Sequence, residues 1–114
     1  GWLTVVHAAA PAHHQDSTSK RAFTRAVYGY PTGRTDANDR PERADWAAGY
    51  DGLRPVVHGH TPRRNVRIRN RVMCLDTGCV FGNALSAYRP DLDSIVRVAA
   101  RRDHSGEKRD LEYL

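Results

Sequence analysis

Lysine is nearly missing from this chain. Of its 18 basic residues only Lys20 and Lys108 are lysines; the rest are arginines, set against 13 acidic residues for a formal charge of +5. An arginine offers a flat fork of donors that grips phosphate or carboxylate in bidentate fashion, where a lysine is a point charge. A coding bias toward Arg and Ala produces the same composition, so the charge by itself does not single out a polyanionic partner. Methionine is scarcer still: Met73 is the only one, and the sequence opens on Gly1. The expectation is a processed or shortened chain, or a piece of something longer.

Long apolar runs are absent as well. The longest, Trp2 to Ala12, is broken by His7 and Pro11 and is too short to span a bilayer. No basic start precedes it, so Ala8-Ala9-Ala10 does not read as a signal-peptide cleavage region. Cysteine is limited to Cys74 and Cys79, whose spacing matches neither a redox pair nor a zinc ribbon. Reduced thiols, a cytoplasmic location and no membrane partner are expected. Apolar residues at 39% and charged residues at 27% suffice for a globular core and exclude a wholly disordered chain. With 114 residues, one domain is the upper limit.

Trp2-Leu3-Thr4-Val5-Val6-His7 reads as a buried strand. Residues 8–16 lack a period and read as loop. Ser17 is the expected N-cap of a helix running to about Tyr28, with Ala22, Ala26 and Val27 on its apolar side. Residues 29–40 read as loop, marked by Pro31, Gly33 and Asp36-Ala37-Asn38-Asp39. A second short helix is expected from Glu42 to Tyr50, ended by Gly52. Pro55 to His58 is a buried strand stopped by Gly59. Further short strands are expected at Val66–Ile68, Val72–Leu75, Ala84–Arg89 and Ser94–Ala99, with antiparallel neighbours favoured by their short separations. Residues 1–100 form the body and the charged stretch 101–114 frays. The layout is α+β, mainly antiparallel strands with two short helices.

Two apolar strands end in histidine, at Val5-Val6-His7 and at Val56-Val57-His58-Gly59-His60. A strand's carboxyl end is where open sheets place ligands, and neutral imidazole is the commonest metal ligand. For each histidine alone, a hydrogen-bonded core or loop position is the commoner role. Arg67, Arg69 and Arg71 alternate, which sets them on one strand face, extended by Arg63 and Arg64. Such a stripe could follow a nucleic-acid backbone, or could be a solvated face that protects a sheet edge. The lack of stacking aromatics nearby favours the second.

Val57-His58-Gly59-His60-Thr61-Pro62, followed by Asp76-Thr77-Gly78-Cys79-Val80-Phe81-Gly82, resembles the C-terminal half of calcineurin-like metallophosphoesterases. The likeness is nearest to the central phosphatase domain of bacterial polynucleotide kinase-phosphatases. Tyr28-Gly29, Thr32-Gly33, Pro41-Glu42-Arg43 and Trp46-Ala47-Ala48 resemble the insertion between that family's two histidine motifs. The resemblance runs from about Trp2 to Val98 and implies the C-terminal half of an α/β/β/α sandwich. It implies a two-metal phosphomonoesterase, in which divalent ions, manganese first among them, turn a water into hydroxide and neutralise charge on the phosphoryl oxygens.

Residue by residue, the resemblance makes His7 and His60 metal ligands and Arg43 the arginine that binds the substrate phosphate. Asp76 takes the place of an aspartate that supports activity, with a role as acceptor for a ligand histidine's ring N–H. Departures from the pattern are Ala9 for a usual Gly, Tyr30 for Asp, Asn83 for Gly, and His58 for Tyr or Phe, which makes His58 a strand-end variant. The family's Asp-x-His, Gly-Asp-x-x-Asp-Arg-Gly and Gly-Asn-His-Glu strings, which supply most of the metal ligands, do not occur in the sequence. The two-ion site is therefore expected to be incomplete, the missing N-terminal half of the domain to be a partner, and the chain alone to be inactive.

The leading expectation is thus part of a phosphomonoesterase for phosphate ends, those of nucleic acid foremost. One alternative is a catalytically dead remnant that binds nucleic acid or protein through its basic strand. Another is a relative that hydrolyses protein phosphoesters or dinucleoside polyphosphates, against which the Tyr28–Trp46 insertion weighs mildly.

Overall fold

Runs of β-branched residues seed a small sheet, and the computed structural model of the chain, which describes residues 1–107 and 109–111, places it at the centre. In chain order the strands are β1 (Thr4–Val5), β2 (Pro31–Thr35), β3 (Pro41–Arg43), β4 (Val56–His58), β5 (Arg67–Arg69), β6 (Val72–Cys74), β7 (Ala84–Arg89) and β8 (Ser94–Ala99). Among the described residues one α-helix, α1 (Lys20–Tyr28), and single 3₁₀ turns at Ala12–His14 and Trp46–Gly49 complete the set, an α+β fold.

The main sheet runs β1-β4-β6-β5, with β2–β3 and β7–β8 as separate two-stranded ribbons. Antiparallel pairing was the expectation for the later strands, and it holds for β5–β6 and β7–β8; the unexpected β2–β3 pair is antiparallel too, whereas β1–β4 and β4–β6 are parallel. The sequence explains this. Val56, Val57 and His58 are buried in succession, and in β6 the buried Val72 and Cys74 flank a half-buried Met73; strands covered on both faces are the ones that pair in parallel. β1 lies at the edge, so the run expected to be buried leaves Trp2 and Val5 exposed. Among the described residues no helix is long and apolar enough to cross a membrane.

Helix α1 starts two residues later than expected. The Ser19 hydroxyl, not that of Ser17, accepts the Ala22 N–H at 3.2 Å, while Ser17 and Ser19 bond each other through their hydroxyls at 3.0 Å. An N-cap oxygen satisfies one of the helix's orphan donors, and Ser19 stands nearer the first buried position, Ala22. The helix ends at Gly29, whose φ of 67° lets its N–H reach the Arg25 carbonyl. Small residues let the helix approach the stretch after β1, where the Ala8 N–H donates to Ala26 O at 2.7 Å. The core joins Ala10, Ala47, Tyr50, Val56 and Val72, with Trp46 packed against it.

Two expectations are corrected in residues 29–50. The stretch read as loop contains β2, hairpinned to β3 through a turn in which Asp36 Oδ1 accepts the N–H groups of Asn38 and Arg40. Proline and glycine masked this strand, which is polar and fully exposed. The helix expected over 42–50 shrinks to one 3₁₀ turn. Glu42 and Arg43 are already committed to β3, and Asp45, the natural N-cap, makes no cap bond because its carboxylate binds Arg67 and Arg69.

Beyond β6, Thr77 Oγ1 donates to Ala84 O at 2.6 Å and lies 2.7 Å from Ser86 Oγ, which fastens β7 to the body. In the charged stretch after residue 100, the His104 N–H donates to Val80 O at 2.8 Å and the Arg109 guanidinium lies 3.8 Å from the centre of the Phe81 ring. The fraying expected there also concerns residues 108 and 112–114, which lie outside the described residues.

Candidate functional site

The parallel pairing of β1 with β4 brings the two histidine-ended strands side by side. The ladder continues past both strands: the Val6 N–H donates to Val57 O at 3.0 Å and the Gly59 N–H to His7 O at 2.9 Å. Their carboxyl ends therefore finish together. His60 then takes φ 69°, a left-handed conformation that side chains other than glycine and asparagine rarely adopt outside sites that need it. That turn, held by the Thr61 N–H on Gly59 O at 2.8 Å, swings the ring back over His7. His7 Nε2 and His60 Nδ1 end 2.9 Å apart, ring centroids 4.7 Å, planes at 62°.

Only one proton can occupy that contact, so one ring donates and the other presents its lone pair. Burial, the His7 ring and the Arg43 guanidinium all hold the His60 pKa below the ordinary histidine value, against the opposing pull of Asp76. His60 is accordingly neutral at about pH 7, the form that ligates metals.

Arg43 is carried by β3 and held by the end of α1. Its Nε donates to Tyr28 O at 2.9 Å and its Nη1 to Pro41 O at 2.7 Å. The Tyr28 carbonyl is one of the orphan acceptors of a helix terminus, so the capping turn that ends α1 also aims the arginine. Gly29 is needed there for its positive φ, and a Cβ added to it would meet the Arg43 stem at 3.7 Å. A guanidinium has five N–H donors; two are used, and the others are available to an anion.

Asp76 follows β6 and accepts the Gly78 N–H at 3.0 Å through Oδ1. Its Cβ lies beside Gly59, close enough for its charge to act on His60. The described contacts put the Asp76 carboxylate on the Gly78 backbone and not on either imidazole. His58 is apart from the pair: it is buried, its ring centroid 5.3 Å from that of Trp46, with Nδ1 3.0 Å from the Gly59 carbonyl. Ala9 keeps a negative φ, so the alanine at that position carries no backbone strain.

About 2.1 Å from one tetrahedral ion, two imidazole nitrogens stand about 3.4 Å apart. The 2.9 Å between His7 and His60 is a hydrogen-bond distance, so the two rings would part by about 0.5 Å and give up the shared proton to hold one ion. The number of donors also falls short: among the described residues no group of three His, Cys, Asp or Glu side chains converges on a metal position. Two imidazoles are part of a metal site and not the whole of one.

The basic strand behaves differently from its pattern. Arg67 Nη2 and Arg69 Nη1 both donate to Asp45 Oδ2, at 2.6 and 2.5 Å, so two arginines of the stripe share one carboxylate and their combined charge falls by one. Arg71 leaves the strand altogether and forms a tight turn with Asn70, at φ 64° and 48°. Residue reading missed the neighbourhood of Arg63. Together with Arg40 and Arg43 it lines a groove of about 490 Å³ that reaches His60. Only its place directly after Thr61-Pro62 could have signalled this. Cys74 and Cys79 are both free thiols.

No protein-family model matches the chain. A protein of Oceanobacillus iheyensis named bis(5'-nucleosyl)-tetraphosphatase PrpE (asymmetrical) is 42% identical over 106 residues, 93% of this chain and 42% of that protein. Proteins of the same name are 43% identical over 96 residues in Bacillus subtilis, 83% of this chain and 39% of that protein, and 42% identical over 107 residues in Halalkalibacterium halodurans, 93% of this chain and 43% of that protein. The chain spans less than half the length of these curated relatives, which are phosphatases by name.

Proposed function

We propose that this chain is part of a phosphohydrolase that cleaves dinucleoside polyphosphates asymmetrically, adding water across an outer P–O–P bond of a tetraphosphate bridge to give a nucleoside triphosphate and a nucleoside monophosphate. The observation that carries the proposal is the convergence of His7 Nε2 and His60 Nδ1 to 2.9 Å beside an arginine with free donors. The relatives' names supply the substrate class and move the reading from polynucleotide ends to the dinucleoside alternative. The Tyr28–Trp46 segment no longer weighs against that alternative, because matches covering 93% of the chain run through it.

In this reading His7 and His60 hold a divalent metal ion, manganese being the first to try, and the remaining ligands come from a segment outside these 114 residues. A bound divalent ion supplies an activated water and charge neutralisation at the phosphoryl group. The chain's own residues do the rest. Arg43 seats phosphate oxygens with the donors left free by Tyr28 and Pro41, His60 stays neutral and offers its lone pair, and Asp76 counters the surrounding positive charge.

The test is chromatography of diadenosine tetraphosphate incubated with the chain and Mn²⁺, alone and with a separately produced segment carrying the Gly-Asn-His-Glu type of ligand motif. The chain alone is expected to release nothing, and the mixture to release ATP and AMP in equal amounts. His60→Ala in the mixture should lower turnover at least about a hundredfold. In parallel, Mn²⁺ should selectively broaden the His7 and His60 imidazole resonances. Release of two ADP, or turnover indifferent to His7→Ala and His60→Ala, sinks the proposal.

A further inference from the structure

We propose that the groove beside His60 is a seat for a chain of linked phosphates, in which Arg63 grips the phosphates that lie beyond the one held at Arg43. The inference deepens the preceding reading and rests on it for the ligand class. The groove's charge accounting carries it. Four arginines (Arg40, Arg43, Arg63 and Arg109) and two carboxylates (Asp36 and Glu42) line the space of about 490 Å³.

Both carboxylates are occupied within the β2–β3 hairpin: Glu42 accepts from Thr32 Oγ1 and Arg34 Nε, and Asp36 from the Asn38 and Arg40 backbone. Arg40 is paired with Glu107, and Arg109, stacked on Phe81, stands 3.9 Å from the same carboxylate. Arg63 differs from these. Its backbone N–H is fixed on Asp76 O at 2.9 Å, but its guanidinium has no ion pair or side-chain hydrogen bond among the described residues.

A half-buried guanidinium with five unused donors, anchored at its root and set along the same groove as Arg43, is a second anion position. One phosphate needs only one bidentate fork. Two forks along a space within the range of small-ligand pockets, about 300–1,000 Å³, suit an anion that repeats its charge over a short length. The lining contains no Phe, Tyr or Trp, so it offers bases nothing to stack on, and this favours a linked phosphate chain over single-stranded nucleic acid.

Isothermal titration of the 114-residue chain with sodium tripolyphosphate and with inorganic phosphate, at low salt with a chelator present, tests the assignment. Tripolyphosphate should bind at least about tenfold more tightly than phosphate, Arg63→Gln should remove most of that difference, and Arg63→Lys should fall between. Arg89→Gln, at the far end of β7 where Arg89 pairs with Asp91, should stay within about twofold of the parent. Circular dichroism confirms that each variant is folded.

Equal tripolyphosphate affinity for the parent and Arg63→Gln overturns the inference. So does an equal loss in Arg89→Gln, or stronger binding of a single-stranded oligonucleotide at matched phosphate concentration. Because chelator removes metal chemistry, the two proposals fail separately. Arg63-dependent binding without asymmetric cleavage removes the reaction and leaves the groove, and cleavage without Arg63-dependent binding does the reverse.

Discussion

Replacing Asp45 with Asn tests an ionic contact in which two arginines converge on one carboxylate oxygen. One carboxylate oxygen, Oδ2, receives Arg67 Nη2 at 2.6 Å and Arg69 Nη1 at 2.5 Å, joining the 3₁₀ turn at Trp46–Gly49 to β5. A protected charge-assisted bond contributes about 1.5–3 kcal/mol, and a fully exposed pair about 0.2–1 kcal/mol. With side chains 30% exposed for Asp45, 36% for Arg67 and 48% for Arg69, the lower range applies with a modest gain, about 1.5 kcal/mol for the two together. For a chain near a hundred residues, that lowers the melting temperature by roughly 6–12 °C.

The pH dependence supplies the control. The Arg67 hydrogen bond, followed by the charges of both arginines, holds the Asp45 carboxyl below the usual carboxylate range. A depressed carboxyl stabilises the fold above its unfolded pKa of about 3.9, and that stability is lost as pH falls through the folded value. Thermal melts followed by circular dichroism should show a gap between parent and Asp45→Asn at neutral pH that closes in acid. Equal melting temperatures at neutral pH, or a gap that persists undiminished below about pH 3, would refute the reasoning.

Two further outcomes are expected. Arg71→Gly should raise stability by about 0.5–1 kcal/mol in urea unfolding, because Asn70 and Arg71 both hold positive φ in the β5–β6 turn and Asn-Gly suits that turn; an unchanged or lower midpoint contradicts this. His58 is held below the ordinary histidine pKa chiefly by burial, so the unfolded chain takes up a proton that the fold refuses. Stability should therefore drop as pH falls below about 6.5. His58→Phe, which can keep the ring beside Trp46, should flatten part of that slope, and a slope identical to the parent's would show that His58 titrates alike in the folded and unfolded chain.

What the sequence revealed follows a physical division. β4, β6 and β7 were readable within a residue because burial of Val56, Val57, Val72 and Ala84 writes itself into β-branched and small residues, whereas β8, exposed over all but its first residue, was readable from its β-branched run alone. Two histidines at strand ends were readable for the same reason, since a buried run that stops in an imidazole is a local pattern. The β2–β3 hairpin was not, because its five-residue first strand is exposed throughout and carries no apolar alternation. Nor could the sequence tell that Asp45 would abandon its capping role for two arginines on β5. That choice is made by a neighbour more than twenty positions away, and single residues do not record it. The Arg63 position belongs to the same class: it has meaning only beside the hairpin that supplies Arg43.

The parallel β1–β4 pair also sets the order in which the molecule can assemble. Thr4 pairs with Val56 and Val5 with Val57, so the register forms only after the intervening chain has closed its loop, an entropic step whose cost grows with the logarithm of the sequence separation and which slows folding. The β5–β6 and β7–β8 hairpins need no such closure and can form early. The His7–His60 contact is thus expected among the last events of folding, and recovery of the native His60 resonance during refolding should lag behind the hairpin amides and serve as a clock for completion of the fold.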